Sequence, residues 1–301
     1  MSGVTYWMIA FRAGVRLLAI AVVFALADLA YASRSRRQQI AGLTSRNPAR
    51  TAFMHRSTEL GHPVRDLRWV SLAAIAPVAS CAVVLAEDEE FFDNGAVSWR
   101  SQRGLLQRAV RGDFSRGGSG IAQQLARNLF LSPARTLRRK AHEYMLAYQL
   151  SHTLSKARQL EIYLNVVEWG DGIWGIEAAS RYYFSVAASG LSPAQGVVLA
   201  SFLPAPRREL GYALGALAAR RQEAIVRKLW RSRLLTDRDG QATLARVREW
   251  RAQTIASESA REGWRRVAAL MGPEPPSFMA SPASPGALPL ARLCDVRRRG
   301  L

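Results

Sequence analysis

Gly117-Gly118-Ser119-Gly120-Ile121-Ala122-Gln123-Gln124-Leu125-Ala126-Arg127-Asn128-Leu129-Phe130 reads as a glycine-rich loop running into an amphipathic helix, with Ile121, Leu125 and Leu129 on one stripe. Ser119 or Gly120 is the natural N-cap. The open N–H groups of such a helix start suit a phosphate or a sugar oxygen, and plain helix capping explains the same residues equally well.

Working outward, a carboxylate stands on each side in unlike surroundings. Glu87 closes the uncharged run Val70–Ala86 and opens the acidic cluster Glu87-Asp88-Glu89-Glu90, ahead of Phe91-Phe92. Glu143 follows Arg138-Arg139-Lys140, and helical spacing puts Arg139 and Lys140 on its own face. Anionic neighbours and an apolar wall raise a carboxyl pKa, whereas adjacent cations lower it. The expectation is a high-titrating Glu87 and a low-titrating Glu143, the splitting by which one site gives two carboxylates different roles. Taken singly, Glu87–Glu90 also reads as a solvated helix start and Glu143 with Arg139 as a surface ion pair.

The flanking pattern is helical. Apolar positions from Thr136 to Leu154 recur at a helical period, Lys156–Asn165 follows after Ser155, and Gly170, Gly172 and Gly175 break the chain before Glu177–Phe184. Leu191–Leu203 is a further apolar helix ended by Pro204-Ala205-Pro206. Val70–Ala86 is long enough to suggest a membrane span, but Pro77 and its serines argue for a buried core element that seats Glu87. Helix after helix without strand alternation gives a mainly α fold class.

These residues carry a resemblance. Ala86–Phe91, then Gly117-Gly118-Ser119 with Gln123, Gln124 and Asn128, then Arg139–Glu143, then Lys156 to Tyr163-Leu164-Asn165 resemble, in order and spacing, the motifs of the peptidoglycan glycosyltransferases. The likeness runs from about Asn47 to Pro206 and is to the monofunctional branch, which carries this domain behind one membrane anchor. It implies a lysozyme-like α-helical domain that polymerises lipid II, with the growing glycan strand as donor and undecaprenyl pyrophosphate as leaving group. It implies Glu87 as general base, with Glu143 as the second catalytic carboxylate. Asp88, Phe91, Ser119, Gln123, Gln124, Arg127, Asn128, Arg139 and Lys140 then bind substrate. Arg127, Arg139 and Lys140 would meet the pyrophosphate charge, and Glu143 would orient those cations or help to hold a divalent ion, Mg or Mn. No other cofactor and no fixed metal site are implied. Partners would be lipid II, the glycan strand, anionic lipids and proteins of cell-wall synthesis or cell division, at the periplasmic face of the inner membrane.

The chain departs from the family pattern at Asn94, where histidine is usual, at Ala96 for glycine, at Gly120 for threonine and at Arg127 for lysine. Gly120 loses a local cap and loosens the loop. Restoring His at 94 and Thr at 120 is therefore expected to preserve or raise turnover. A lysozyme-like hydrolase, with water as acceptor, and a membrane-held scaffold that binds lipid II without turnover stay open as other classes.

Residues 1–37 read as an export segment: Arg12 and Arg16 precede the apolar run Leu17–Ala27, and Arg34, Arg36 and Arg37 follow. Ala30-Tyr31-Ala32 also permits a cleaved signal peptide. Residues 38–210 form the expected transferase domain, 211–271 a helical extension and 272–301 a proline-rich disordered tail. Residues 98–116 mix arginine with apolar side chains and suit either a bilayer surface or a solvated helix. The net charge of +19 points to polyanionic partners. Nucleic acid is excluded by the export segment and by the lack of any recognisable binding motif. Cys81 lies in a buried-looking run and Cys294 in the tail, so no disulfide is expected.

Overall fold

In the computed structural model, which describes residues 3–97, 103–104, 118–134, 136–208, 214–272 and 290–294, the chain is mainly α. The expected amphipathic segment 98–116 lies outside the described residues apart from Arg103 and Gly104.

Helix α1 (Gly3–Gly42) is the one described helix long and apolar enough to cross a membrane. Its last turn belongs to the domain, since Ile40 and the following Leu43 are buried. The helix runs unbroken through the Ala-x-Ala pattern. Thr51 then caps α2 (Ala52–Glu59) by accepting the Met54 N–H.

From Ile75 onward the uncharged run is core, as expected, whereas Ser71, Ala73 and Ala74 ahead of it are exposed. Pro77 opens α3 (Pro77–Glu87) at a position where a missing N–H costs nothing, and Val78–Leu85 are all buried. Its sequel α4 (Ile121–Phe130) packs against α5 (Leu137–Thr153), which Thr136 caps through the Arg139 N–H. Helix α6 (Lys156–Val166) follows after Ser155, which caps it through the Arg158 N–H. Asn165 both donates to the Val70 carbonyl (2.8 Å) and accepts its N–H (2.9 Å), pinning the approach to α3.

The glycine cluster makes a small sheet rather than a plain break. Strands β2 (Glu168–Gly170) and β3 (Ile173–Trp174) are antiparallel, and β1 (Asp66–Leu67) pairs parallel to β3. Gly172 and Gly175 adopt φ of 73° and 84°, the left-handed region where a Cβ is strained. Helix α7 (Ile176–Phe184) leads to α8 (Pro193–Phe202), buried along its whole length against α3.

Helices α9 (Ala216–Arg231), α10 (Asp237–Ser257) and α11 (Ala260–Met271) complete the body. Helix α9 lies on α3 as well as on α10, so the region after residue 210 contributes to the same core.

The tail needs correction on two points. Residues 273–289 and 295–301 lie outside the described residues, but Leu290–Leu293 form a helical turn, α12, against α3. Cys294 is joined to Cys81 by a disulfide with a Cα–Cα distance of 5.0 Å. Both sulfurs are buried, at 1% and 0% residue exposure. Composition marks a proline-rich segment as unable to fold alone, but it does not show that a short apolar piece within it docks on a core formed elsewhere.

Candidate active site

Three elements converge at the end of α3. Glu87 is its last helical residue and is mostly buried. Its Oε2 accepts from Gln124 Nε2 of α4 at 2.7 Å, and its Oε1 is paired with Arg221 of α9. The Tyr163 hydroxyl of α6 donates to Gln124 Oε1 (2.8 Å), which fixes the amide with its nitrogen toward Glu87. Burial holds the Tyr163 phenol well above its ordinary range, so it stays a neutral donor.

Gln124 Nε2 also donates to the Ser119 carbonyl (3.1 Å), and the Ser119 hydroxyl donates to Glu143 Oε1 (3.2 Å). Gln124 and Ser119 thus bridge the two carboxylates. Arg139 and Lys140 both pair with Glu143, as the helical spacing predicts, and Lys140 Nζ also donates to the Ser119 hydroxyl (2.7 Å). Burial would raise the Glu143 carboxyl, but the hydrogen bonds and charges of Lys140 and Arg139 prevail and hold it below its ordinary value. Glu143 does not fit a divalent ion, because cations and a hydroxyl already occupy both of its oxygens. Among the described residues no group of three metal-ligating side chains occurs.

The acidic cluster is not surrounded by anions alone. Arg221 pairs with Glu87, Lys228 with Glu89 at 2.9 Å, and Lys156 exerts its charge on Asp88. Within the cluster the Asp88 carboxyl is pushed up to about 6, chiefly by burial, with Glu90 and Glu87 adding to the rise. Asp88 Oδ2 accepts the Ile121 N–H at 3.0 Å, so it caps α4 from across the site. The cap expected to be lost at Gly120 is therefore supplied by Asp88.

Other predicted residues are placed differently. Phe91 and Gln123 are fully buried: Phe91 supports the Lys156 ammonium 4.6 Å above its ring, and Gln123 Oε1 accepts the Gly120 N–H (3.3 Å). Neither has surface to offer a ligand. Arg127 and Asn128 lie one turn beyond Gln124 and line a cavity that Gln124 also borders, with the Arg127 guanidinium 5.6 Å over the Phe53 ring. Asn94 donates to Glu90 at 3.3 Å.

Sequence reasoning missed Arg221 and Lys228, since α9 lay in the expected extension. Pattern offers one weak signal, an arginine-rich helix with a buried stripe at Ala218, Gln222, Ile225 and Leu229.

Comparison with known proteins gives the family. A family model described as Transglycosylase matches residues 55–229, reaching into α9 and past the boundary expected at 210. A biosynthetic peptidoglycan transglycosylase of Aromatoleum aromaticum is 46% identical over 189 residues, covering 60% of this chain and 82% of its own. Namesakes from Azoarcus and Nitrobacter hamburgensis are 44% and 39% identical, covering 60% and 57% of this chain and 83% and 85% of theirs. With a lysozyme-like, mainly helical domain and a family match over more than half its length, this chain belongs to the transglycosylase family and is a glycosyltransferase.

Proposed function

We propose that this glycosyltransferase polymerises lipid II into the glycan strands of peptidoglycan and releases undecaprenyl pyrophosphate. The observation that carries the reading is the bridge Glu87–Gln124–Ser119–Glu143, which holds one carboxylate beside an amide and the other inside a cluster of cations. In this reading the 4-hydroxyl of the incoming sugar attacks the anomeric carbon of the donor. Its proton passes to Glu87, whose orientation Gln124 and Arg221 fix while each oxygen keeps a free lone pair. The bond from the anomeric carbon to the pyrophosphate breaks, and Lys140 and Arg139 meet the charge that collects on the leaving group. Attack opposite the leaving group inverts the anomeric centre.

The names of the relatives support the substrate class, and α1 supports a single-pass anchor. The Cys81–Cys294 disulfide supports a location on the oxidising, periplasmic side of the membrane. Contacts between α1 and α5 favour retention of the anchor over cleavage near residue 32: Asp28 accepts from Arg138 at 2.6 and 2.8 Å and pairs with His142 at 2.8 Å. Purified full-length protein, in detergent with labelled lipid II, tests the reading. Glycan polymer and released undecaprenyl pyrophosphate are expected. Absence of polymer, or release of sugar fragments from finished peptidoglycan instead, sinks it.

A further inference from the structure

Helix α9 carries two sets of polar side chains on opposite flanks of its buried stripe. At about 3.6 residues per turn, Arg221 and Lys228 lie on one side of Ala218, Gln222, Ile225 and Leu229, and Glu223 and Trp230 lie on the other. The first flank faces the site: Arg221 pairs with Glu87, while Lys228 donates to the Leu85 carbonyl at 2.8 Å and pairs with Glu89. Between the flanks, buried Gln222 donates to the Ser201 hydroxyl of α8 at 3.0 Å.

The second flank is gripped by α10. Glu223 Oε1 accepts from two nitrogens of Arg248, at 2.9 and 3.2 Å. The Trp230 indole donates to Asp237 at 2.7 Å, and its ring lies so close to α10 that a Cβ on Gly240 would stand 2.7 Å from it. Half-buried Arg251 donates to the Leu214 carbonyl at 2.7 Å, just ahead of Gly215, the N-cap of α9. The grip thus reaches the start, the middle and the end of α9. Arg248, Asp237, Gly240 and Arg251 all lie beyond residue 229, where the family match ends. The same extension is tied to α3 as well, through Cys294 and Cys81.

Roll about its own axis is the motion of α9 that would carry Arg221 away from Glu87, and a helix held on the opposite flank cannot roll. An arginine has many rotamers, so its guanidinium stays on a carboxylate only over a fixed backbone. We propose that α10 is a positioning element for the reaction, with Arg248 and Arg251 as its positioning residues: they fix the roll of α9 and thereby hold Arg221 on Glu87. The proposal rests on the polymerase reading for the role of Glu87 and assigns part of its orientation to a segment outside the family match. A pair as exposed as Arg248–Glu223 contributes little to folding energy, so its effect is one of direction.

The test uses the full chain in detergent with labelled lipid II and the paired variant Arg248→Ala with Arg251→Met, which removes both donors. Its kcat is expected to fall about tenfold with KM unchanged, inside the roughly hundredfold that an ångström of misplacement can cost. In an Arg221→Ala background the same pair should cost nothing further, because the group it positions is gone. Exchange of the charges, Glu223→Arg with Arg248→Glu, should restore most of the kcat that Glu223→Arg alone removes. Equal fold losses in both backgrounds would mark general loosening and overturn the proposal, as would no loss in either. If the paired variant does not fold, Glu223→Gln releases the grip from the α9 side and is put through the same cycle. A second readout needs no turnover: the coupling between Arg221→Ala and Glu87→Gln in unfolding midpoints should be present in the parent and lost in the paired variant. A coupling that is absent from the parent, or that survives in the paired variant, overturns the proposal. Failure of the wild type to make polymer defeats the polymerase reading alone, since the coupling still decides what holds Arg221.

Discussion

The Asp88 carboxylate occupies the space that a side chain on Gly120 would need. A Cβ at 120 would collide with Asp88 Oδ2 and stand 3.0 Å from its Cγ, while that same Oδ2 caps the Ile121 N–H. Threonine at 120 therefore does not simply restore a lost cap, as its local chemistry suggests; it competes with a cap already in place. Gly120→Thr should destabilise the fold by about 1–3 kcal/mol, the usual cost of overpacking. Thermal unfolding of the two proteins in the same detergent checks this, and equal melting temperatures would show that Asp88 moves aside freely. The Asn94→His and Gly120→Thr double variant is accordingly expected to lose turnover, not to gain it.

Glu87→Gln keeps the shape of the site and removes the carboxylate proposed to accept the proton. Turnover of labelled lipid II should fall by roughly 10²–10⁴, the range of a general base, with binding little changed. Arg221→Ala leaves the Glu87 carboxylate but removes the partner of its Oε1, so an intermediate loss of kcat is expected. Wild-type rates from the Glu87 variant would remove it from the mechanism.

The raised Asp88 carboxyl makes a signed prediction for stability. Its ordinary value is 3.8 and its folded value about 6, so the folded chain holds the proton more tightly than the unfolded chain. Its stabilising contribution is complete below 3.8 and is lost as pH rises through about 6, a change of roughly 3 kcal/mol. The difference in stability between wild type and Asp88→Asn should move against wild type across that window and stay flat above it. Glu143, held low, acts in the opposite sense and loses its contribution only as pH falls below its ordinary 4.5.

Reduction of the disulfide releases a cross-link between residues 213 apart in sequence. A loop of that length is worth about 5 kcal/mol in the chain-entropy account, and measured values are commonly 2–5. Cys294→Ser should lower the denaturation midpoint accordingly and expose the tail to limited proteolysis. An unchanged midpoint in oxidising buffer would show that the pair does not form.

A chain starting at residue 38 keeps Ile40 and Leu43 in the core but loses Asp28 and Ser33, which meet Arg138, His142 and Gln149 of α5. It should fold, since ion pairs as exposed as Asp28–Arg138 contribute little to stability. It should also fail to sediment with vesicles that retain the full chain. Equal sedimentation of both would assign membrane binding to another part of the molecule.

Legibility in the sequence followed the range of each interaction. Arg139 and Lys140 lie within one helical turn of Glu143, so spacing alone placed them. The helix starts at Thr136 and Ser155 were likewise legible from side chains that cap within three residues. Arg221 meets Glu87 across 134 residues, and no local pattern encodes that meeting. Strands of two or three residues are too short to display an alternation, so Glu168–Gly170 and Ile173–Trp174 read only as a glycine-broken loop. Asp88 acts as a cap because Gly120 leaves a void, a fact of three-dimensional space that residue types do not state.

The order in which a chain is made bears on the Cys81–Cys294 bond. Cys81 emerges early and belongs to the helix that seats Glu87, whereas its partner follows only after α4 to α11 have been synthesised. The bond can therefore close only after the chain through Cys294 has been made, although Cys81 is buried in the finished core. Synthesis is thus ordered along the chain: the apolar helix α1 is made first, the residues of the Glu87–Glu143 bridge next, and the cysteine that bolts the central helix comes last.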